Sequence, residues 1–145
     1  MGFIFPSPEW AEAYCRALNE SQEYRKAGRT WTAGDILFVI EDLPMQVREA
    51  IGSEKAGFRL DLYKGECRKV EFFKNPDEVS AAFIIVAKYR DWLSVIQGKI
   101  HPTTALMTRK LRVVRGNVAI LLRYAQAAIA MVKSAQRVPT TVVES

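Results

Sequence analysis

Side chains that could carry out proton transfer or nucleophilic attack are few in this sequence. It contains a single histidine, His101, so there is no histidine pair for a metal ion and no nucleophile–histidine–acid grouping. Because His101 directly precedes Pro102, we expect it to cap or flank a helix. The adjacent carboxylates Glu41 and Asp42 follow an apolar run, where a turn is expected. Nothing among these residues indicates an enzyme.

The amino-acid sequence also lacks recognisable cofactor-binding and metal-binding motifs. The eight glycines are scattered and form no phosphate-binding loop or dinucleotide fingerprint. Cys15 and Cys67 do not have the spacing of a metal site, and residues 1–8 lack the basic start and apolar run of a secretory signal. We therefore expect no metal and no cofactor, two reduced thiols and a cytoplasmic location.

Charge is distributed unevenly along the chain. Residues 1–87 hold 11 basic and 14 acidic side chains, a balance of −3, whereas residues 88–145 hold 10 basic and 2 acidic ones, a balance of +8. Such a cluster can bind nucleic acid, an anionic membrane surface or an acidic head group, or can simply be solvated. Nucleic acid is disfavoured, because no aromatic stacking residues are interleaved with the basic ones. The basic cluster comprises Arg109, Lys110, Arg112, Arg115 and Arg123.

The last third of the chain contains an almost wholly apolar helix. In residues 118–132 only Arg123 and Gln126 are polar. A surface helix normally has one apolar stripe, and at about fifteen residues this one is short for a membrane span. It must therefore be covered on both sides, by the core and by a partner chain, more protein or a lipid.

The remaining pattern predicts alternating helices and strands in one domain spanning residues 1–145, with a core over about 7–137 and a loose tail over 138–145. Residues 45–57 look like a connection, and Lys64-Gly65-Glu66 turns a hairpin. We expect helices over 7–28, 89–97, from about 102, and after 117, and strands over 35–40, 58–63, 67–73, 81–87 and 110–115.

The order of these elements between residues 81 and 125 resembles the sterol carrier protein family. The resemblance is carried by the strand over 81–88, the helix over 89–97, Gly98-Lys99-Ile100, Pro102 with Ala105 and Met107, Lys110-Leu111-Arg112-Val113, and Gly116-Asn117 before the apolar helix. It extends over about residues 7–137. Arg109 departs from the glycine usual in the family, His101 replaces a small or acidic cap, and the strand after Arg109 is one residue longer.

The resemblance implies an α+β fold in which a twisted sheet of about five strands carries helices on one face, with an apolar tunnel between them. It also implies non-catalytic binding or transfer of a fatty acid, fatty acyl-CoA or other lipid, sterol being less favoured. Arg109, Lys110 and Arg112 are candidates for holding a head group or contacting an anionic membrane. The candidate wall residues are Phe38, Ile40, Leu60, Leu62, Phe83, Ile85, Trp92, Ile96, Leu106, Met107, Leu121, Tyr124, Ala128 and Met131.

A second hypothesis stays open on the same residues. Each candidate wall residue, taken alone, is typical of an ordinary core. The domain could therefore have a closed cavity and act in regulation or protein interaction, with its apolar final helix against a partner or a second copy in a homodimer.

Overall fold

The buried apolar run that follows Gly34 forms the centre of a five-stranded sheet. The computed structural model describes residues 2–141. Its strands are β1 (Phe3–Ile4), β2 (Ile36–Glu41), β3 (Ala56–Tyr63), β4 (Glu66–Phe73), β5 (Phe83–Lys88), β6 (Arg112–Arg115) and β7 (Thr140–Thr141). The sheet has the order β4-β3-β2-β5-β6. Within this sheet the pair β2–β5 is parallel and the other pairs are antiparallel, while β1 and β7 form a separate parallel pair.

The central strand β2 is apolar on both faces because both faces are covered. Ile36 and Ile40 belong to the main core, whereas Leu37 and Val39 belong to a smaller apolar cluster on the opposite face. A parallel pair at the centre of a sheet is usually covered in this way. The expected fold class, a mixed α+β domain with a five-stranded sheet and helices, is confirmed.

The helices begin and end where capping residues allow. The first starts at Pro8 because the Ser7 hydroxyl accepts a hydrogen bond from the Trp10 N–H at 3.1 Å. It ends at Glu20, since Ser21 is extended and caps a second helix. The helix expected over residues 7–28 is thus two helices. The full set is α1 (Pro8–Glu20), α2 (Gln22–Ala27), α3 (Met45–Ile51), α4 (Tyr89–Ile96), α5 (Pro102–Met107), α6 (Val118–Arg123) and α7 (Ala125–Gln136).

The apolar final helix is broken at Tyr124. This residue has φ −101° and ψ 34°, and its N–H bonds to the carbonyl of Leu121, three residues earlier. A tighter hydrogen bond of this kind ends α6. The prediction of one continuous helix over residues 118–132 was therefore wrong.

Two segments expected to be irregular are ordered. Residues 45–57 contain α3, which buries Val47 and Ile51 in the main core. In the expected tail Val138 is buried, and Thr140–Thr141 pairs with β1. The prediction of a loose tail was thus wrong for residues 138–141, while residues 142–145 lie outside the described residues.

Cys15 and Cys67 form a disulfide, contrary to the expected free thiols. Their Cα atoms lie 5.5 Å apart, although 52 positions separate them in sequence. The bond forms because α1 packs on β4, which brings the two Cβ atoms within bonding range. Asn19 supports the contact, since its side chain donates to the Cys67 carbonyl at 2.9 Å and accepts from the Cys67 N–H at 2.8 Å. No spacing rule in the sequence indicated this pairing.

Candidate functional site

An apolar cavity of about 130 Å³ lies between the sheet and the helices. Its floor comes from alternate residues of the sheet, because side chains two apart on a strand share a face. Its walls and roof come from the helices and the segments that join them. Lining residues are Phe5, Trp10, Tyr14, Tyr24, Gly28, Trp31, Ile36, Phe38, Ile40, Phe58, Leu62, Ile85, Trp92, Val95, Ile96, Pro102, Leu106, Leu111, Leu121, Tyr124, Ala127, Ala128, Met131, Val132 and Ala135.

The roof is formed by α7, whose small residues leave space above the sheet. Ala127, Ala128 and Ala135 line the cavity together with Met131 and Val132. The other sides of α7 pack against α1, α2, α4 and α5. Other helices of the same chain therefore cover this apolar helix, with the cavity beneath it.

Three tryptophans line the cavity with their polar atoms already satisfied. The indole N–H of Trp10 donates to the Thr140 hydroxyl at 2.8 Å. Trp31 donates to the Gly34 carbonyl and Trp92 to the Val39 carbonyl, each at 2.9 Å. The rings thus contribute apolar surface, because their only donors are held by protein acceptors.

The hydroxyl groups of the cavity tyrosines are held in apolar surroundings or by protein partners. The Tyr14 hydroxyl donates to the Met131 carbonyl at 3.1 Å, and burial raises the pKa of Tyr14 well above its usual range. Burial also raises the pKa of Tyr24 to about 12. The Tyr124 hydroxyl lies 3.0 Å from the Thr30 hydroxyl in a hydrogen bond. Since the described residues of the lining include no acidic, basic or histidine side chain, the cavity is suited to holding an apolar molecule.

Most of the predicted wall residues lie at this cavity. Leu60 is fully buried in the core without lining it, and Phe83 packs on Trp31 with ring centroids 5.3 Å apart. Met107 is 71% exposed, because Leu106 faces inward and α5 ends at Met107. The prediction that Met107 belongs to the cavity wall was therefore wrong. Those at the cavity are Phe38, Ile40, Leu62, Ile85, Trp92, Ile96, Leu106, Leu121, Tyr124, Ala128 and Met131.

Sequence reasoning missed the contribution of the N-terminal helices. Trp10 and Tyr14 of α1, Tyr24 of α2 and Trp31 all line the cavity. The helical spacing of Trp10 and Tyr14 identified an inward stripe, but packing was the expected role. Spacing shows which face is inward and not what space lies beyond it.

The predicted head-group residues lie at the surface, outside the cavity lining. Lys110 is 3.9 Å from Asp91 and Arg112 is 2.6 Å from Glu41 in ion pairs. Arg109 is exposed, with a positive φ of 62°. His101 caps α5 as expected, its Nδ1 accepting from the Thr103 N–H at 3.1 Å.

Two further features of the described residues bear on the class of site. Within residues 2–141, no three histidine, cysteine, aspartate or glutamate side chains are grouped so as to hold a metal ion. No helix in that range is long and apolar enough to cross a membrane.

Known structures share this fold and about a third of this sequence. A crystal structure of sterol carrier protein 2 is 37% identical, with a TM-score of 0.80, and the match covers 91% of this chain and 97% of that one. A conserved hypothetical protein of Thermus thermophilus, described as possibly a sterol carrier protein, is 36% identical over 97% of this chain and 93% of its own, with a TM-score of 0.82.

A more distant structure agrees in fold alone. Sterol carrier protein 2 of Yarrowia lipolytica in its apo form is 18% identical, covers 87% of this chain and 88% of that one, and has a TM-score of 0.51. Among curated proteins no significant match is found.

The family assignment follows from the sequence profile as well as from these structures. The profile described as the SCP-2 sterol transfer family matches residues 14–128, a range that runs from the second half of α1 through the five-stranded sheet to the first part of α7. These proteins bind and transfer lipids, in agreement with the apolar lining that the described residues give the cavity. The chain belongs to the SCP-2 sterol transfer family.

Proposed function

We propose that this protein binds and transfers a fatty acid or fatty acyl-CoA by enclosing the acyl chain in the cavity between the sheet and α7. The observation that carries the proposal is the lining, whose residues between positions 2 and 141 are apolar or aromatic and include no charged side chain. A sterol is a less favoured cargo. The role is that of a carrier without catalysis, since the cavity presents tyrosines and tryptophans whose described polar contacts are to other protein groups.

Burial of the acyl chain supplies the driving force. Each methylene group removed from water contributes about 0.8 kcal/mol. A long chain would therefore gain on the order of 10 kcal/mol gross, before the cost of association and of ordering the chain reduces it. The carboxylate gains nothing from this lining, so it would remain near the protein surface.

The cavity must widen to take such a chain. Its volume of about 130 Å³ is below the roughly 300–1,000 Å³ of pockets that enclose drug-sized ligands. Met131 and Leu121 are only partly buried and line the cavity, and methionine side chains adapt easily. We propose that movement of these side chains extends the cavity into a tunnel.

The basic residues outside the cavity would serve the head group or a membrane. Arg109 takes no part in an ion pair among the described residues, whereas Lys110 and Arg112 must first leave Asp91 and Glu41. Arginine suits carboxylate and phosphate oxygens. We assign Arg109 the larger part of any head-group contact.

A cytoplasmic location remains part of the proposal. Disulfides are rare in reducing compartments, so the bond between Cys15 and Cys67 removes the support that free thiols would have given. Both cysteines are buried, with 8% and 4% of their surface exposed, which limits the access of cytosolic reductants.

Native mass spectrometry of the purified protein, followed by incubation with palmitic acid and palmitoyl-CoA, tests the proposal. We expect a stoichiometric adduct with the wild type. Ala128→Trp and Met131→Trp should abolish it, because each places an indole in the cavity. Gln126→Trp is the matched control, since Gln126 is exposed on the same helix and its replacement should leave uptake unchanged.

The result that would overturn the proposal is a wild-type protein that stays free of both ligands. If the spectrum then showed a dimer, the closed interaction domain would replace the carrier. Unchanged uptake by both cavity variants, with circular dichroism showing that they fold, would remove α7 from the binding site.

A further inference from the structure

Exposed apolar and basic side chains are concentrated in one segment at the edge of the sheet. Residues 107–123, which we call the edge segment, run from the end of α5 through β6 and α6. The edge segment contains three of the five large apolar side chains exposed among the described residues, and five basic residues without an acidic one. The exposed apolar residues are Met107 at 71%, Val114 at 59% and Val118 at 39%.

The positive charge of this region is only partly neutralised. Between Asp91 and Glu144 the sequence contains eight basic residues and no acidic one. Arg112 is paired with Glu41 of β2, and Lys110 with Asp91 of α4. The other three basic residues of the edge segment are exposed and form no ion pair with any residue between positions 2 and 141. These are Arg109, Arg115 and Arg123.

The helix within the edge segment links this surface to the cavity. In α6, Leu121 lines the cavity and Ile120 packs against the main core. Leu122 is half-buried but belongs to neither apolar cluster of the described residues, and Arg123 is exposed beside it. One side of α6 therefore covers the cavity while the other presents apolar and basic groups outward.

The contacts that hold α6 over the cavity lie at its end. The Tyr124 ring meets the Trp31 ring edge-on, with centroids 5.0 Å apart, and the Tyr124 hydroxyl bonds to Thr30. No residue of α6 itself is fully buried. Elements with few buried side chains open most readily, so α6 is the part of the cavity wall that can move at least cost.

The chemistry of the edge segment fits an anionic lipid surface better than a protein strand. Apolar side chains among arginine and lysine are typical of interfacial membrane contacts. The exposed edge strand β6 carries Arg112 and Arg115, and charged residues on an edge discourage pairing with another chain. Anionic phospholipids supply the complementary charge, and their acyl region accepts the exposed Val118 and the half-buried Leu122.

We infer that the edge segment is the membrane-docking surface and that α6 is the lid through which lipid enters the cavity. Val118 and Leu122 enter the bilayer interface while Arg115 and Arg123 contact lipid phosphates. Displacement of α6 breaks the Tyr124–Thr30 hydrogen bond and withdraws Leu121 from the cavity. This inference rests on the proposed lipid carriage, because a lid is needed only if lipid passes beneath it.

Vesicle binding tests the docking surface. Sedimentation should show wild type bound to equimolar phosphatidylcholine–phosphatidylserine vesicles and released by high salt, with little binding to phosphatidylcholine alone. Arg115→Ala/Arg123→Ala should bind about thirtyfold more weakly, which corresponds to about 1 kcal/mol for each basic residue near an anionic surface. Arg16→Ala/Arg48→Ala is the matched control, since both side chains are exposed on other helices.

The apolar part of the surface has its own control. Val118→Ser/Leu122→Ser should weaken binding to the mixed vesicles and slow the transfer of a fluorescent fatty acid from them. Met45→Ser removes an apolar side chain that is 65% exposed on α3, and it should change neither. The inference would be overturned if the two double variants of the edge segment bound the mixed vesicles as well as their controls do. It would also be overturned if the wild type bound duplex DNA and did not bind vesicles.

Uptake of the same fatty acid from solution separates the two proposals. The two double variants of the edge segment should bind the fatty acid as tightly as wild type when no vesicles are present, because none of the substituted residues lines the cavity. Binding in solution together with unaltered vesicle transfer would refute the docking surface and leave the carrier function. If the wild-type protein fails to bind the fatty acid in solution, the proposed carrier function is refuted.

Discussion

Reducing the Cys15–Cys67 disulfide should lower the free energy of unfolding while leaving the folded structure in place. The bond links positions 52 residues apart, and the loop-closure entropy for that length corresponds to about 4 kcal/mol at 25 °C. Asn19 makes two hydrogen bonds to the Cys67 backbone, each contributing about 1 kcal/mol. The contact between α1 and β4 should therefore persist after reduction. The free energy of unfolding falls mainly because the unfolded chain gains conformational freedom.

Urea unfolding followed by far-ultraviolet circular dichroism, with and without a phosphine reductant, measures the effect. With a urea dependence of about 1–3 kcal/mol per molar, a loss of about 4 kcal/mol lowers the midpoint by roughly 1–4 M. The variant Cys15→Ala/Cys67→Ala should unfold near the midpoint of the reduced wild type. Adding reductant should not shift that variant further.

Two results would refute this reasoning. One is a reductant effect below about 1 kcal/mol, since even short closed loops contribute more in the entropic account. The other is the reaction of two thiols with an alkylating reagent in protein purified and unfolded without reductant. Reduced protein should still take up fatty acid, because neither cysteine lines the cavity.

Two further predictions concern stability. An unfolded tyrosine ionises near pH 10, whereas Tyr24 is held neutral until about pH 12; its contribution is complete below pH 10 and falls by about 3 kcal/mol as the pH rises to 12. Tyr24→Phe should flatten this decline in urea unfolding at alkaline pH, and an unchanged slope would contradict the assignment. Gly116 has φ +102°, and a methyl group there would overlap the Phe83 ring, so Gly116→Ala should lower the free energy of unfolding by about 1–3 kcal/mol. Thermal melts of both variants test this, and Gly98→Ala should cost less, since its Cβ would meet only the flexible Gln136 side chain; equal losses would exclude the overlap with Phe83 as the cause.

Local patterns in the sequence predicted most of the sheet and the helices around it. Residues 36–40 are a β-branched and aromatic run, and strand formation needs little more than that pattern. Ser7 and Pro8 determine where α1 starts, through capping and a preset φ. The inward side of each element follows from spacing, and most of the predicted wall residues therefore reached the cavity.

Features that depend on distant contacts could not be predicted in this way. The break at Tyr124 coincides with contacts to Thr30 and Trp31, which are about ninety residues earlier in the chain. Val138 is buried, and Thr140–Thr141 is a strand because β1 lies alongside it. Likewise Met107 and Leu106 are neighbours in sequence, and the packing of α5 alone decides which of them faces the cavity.

The placement of the tryptophans gives the protein its own optical reporter. The sequence contains three tryptophans, and Trp10, Trp31 and Trp92 all line the cavity. Tryptophan emission therefore comes entirely from rings next to the space that a ligand would occupy, with no background from a distant tryptophan. Filling that space should change the quenching of all three, so that occupancy can be followed in unlabelled protein and in real time.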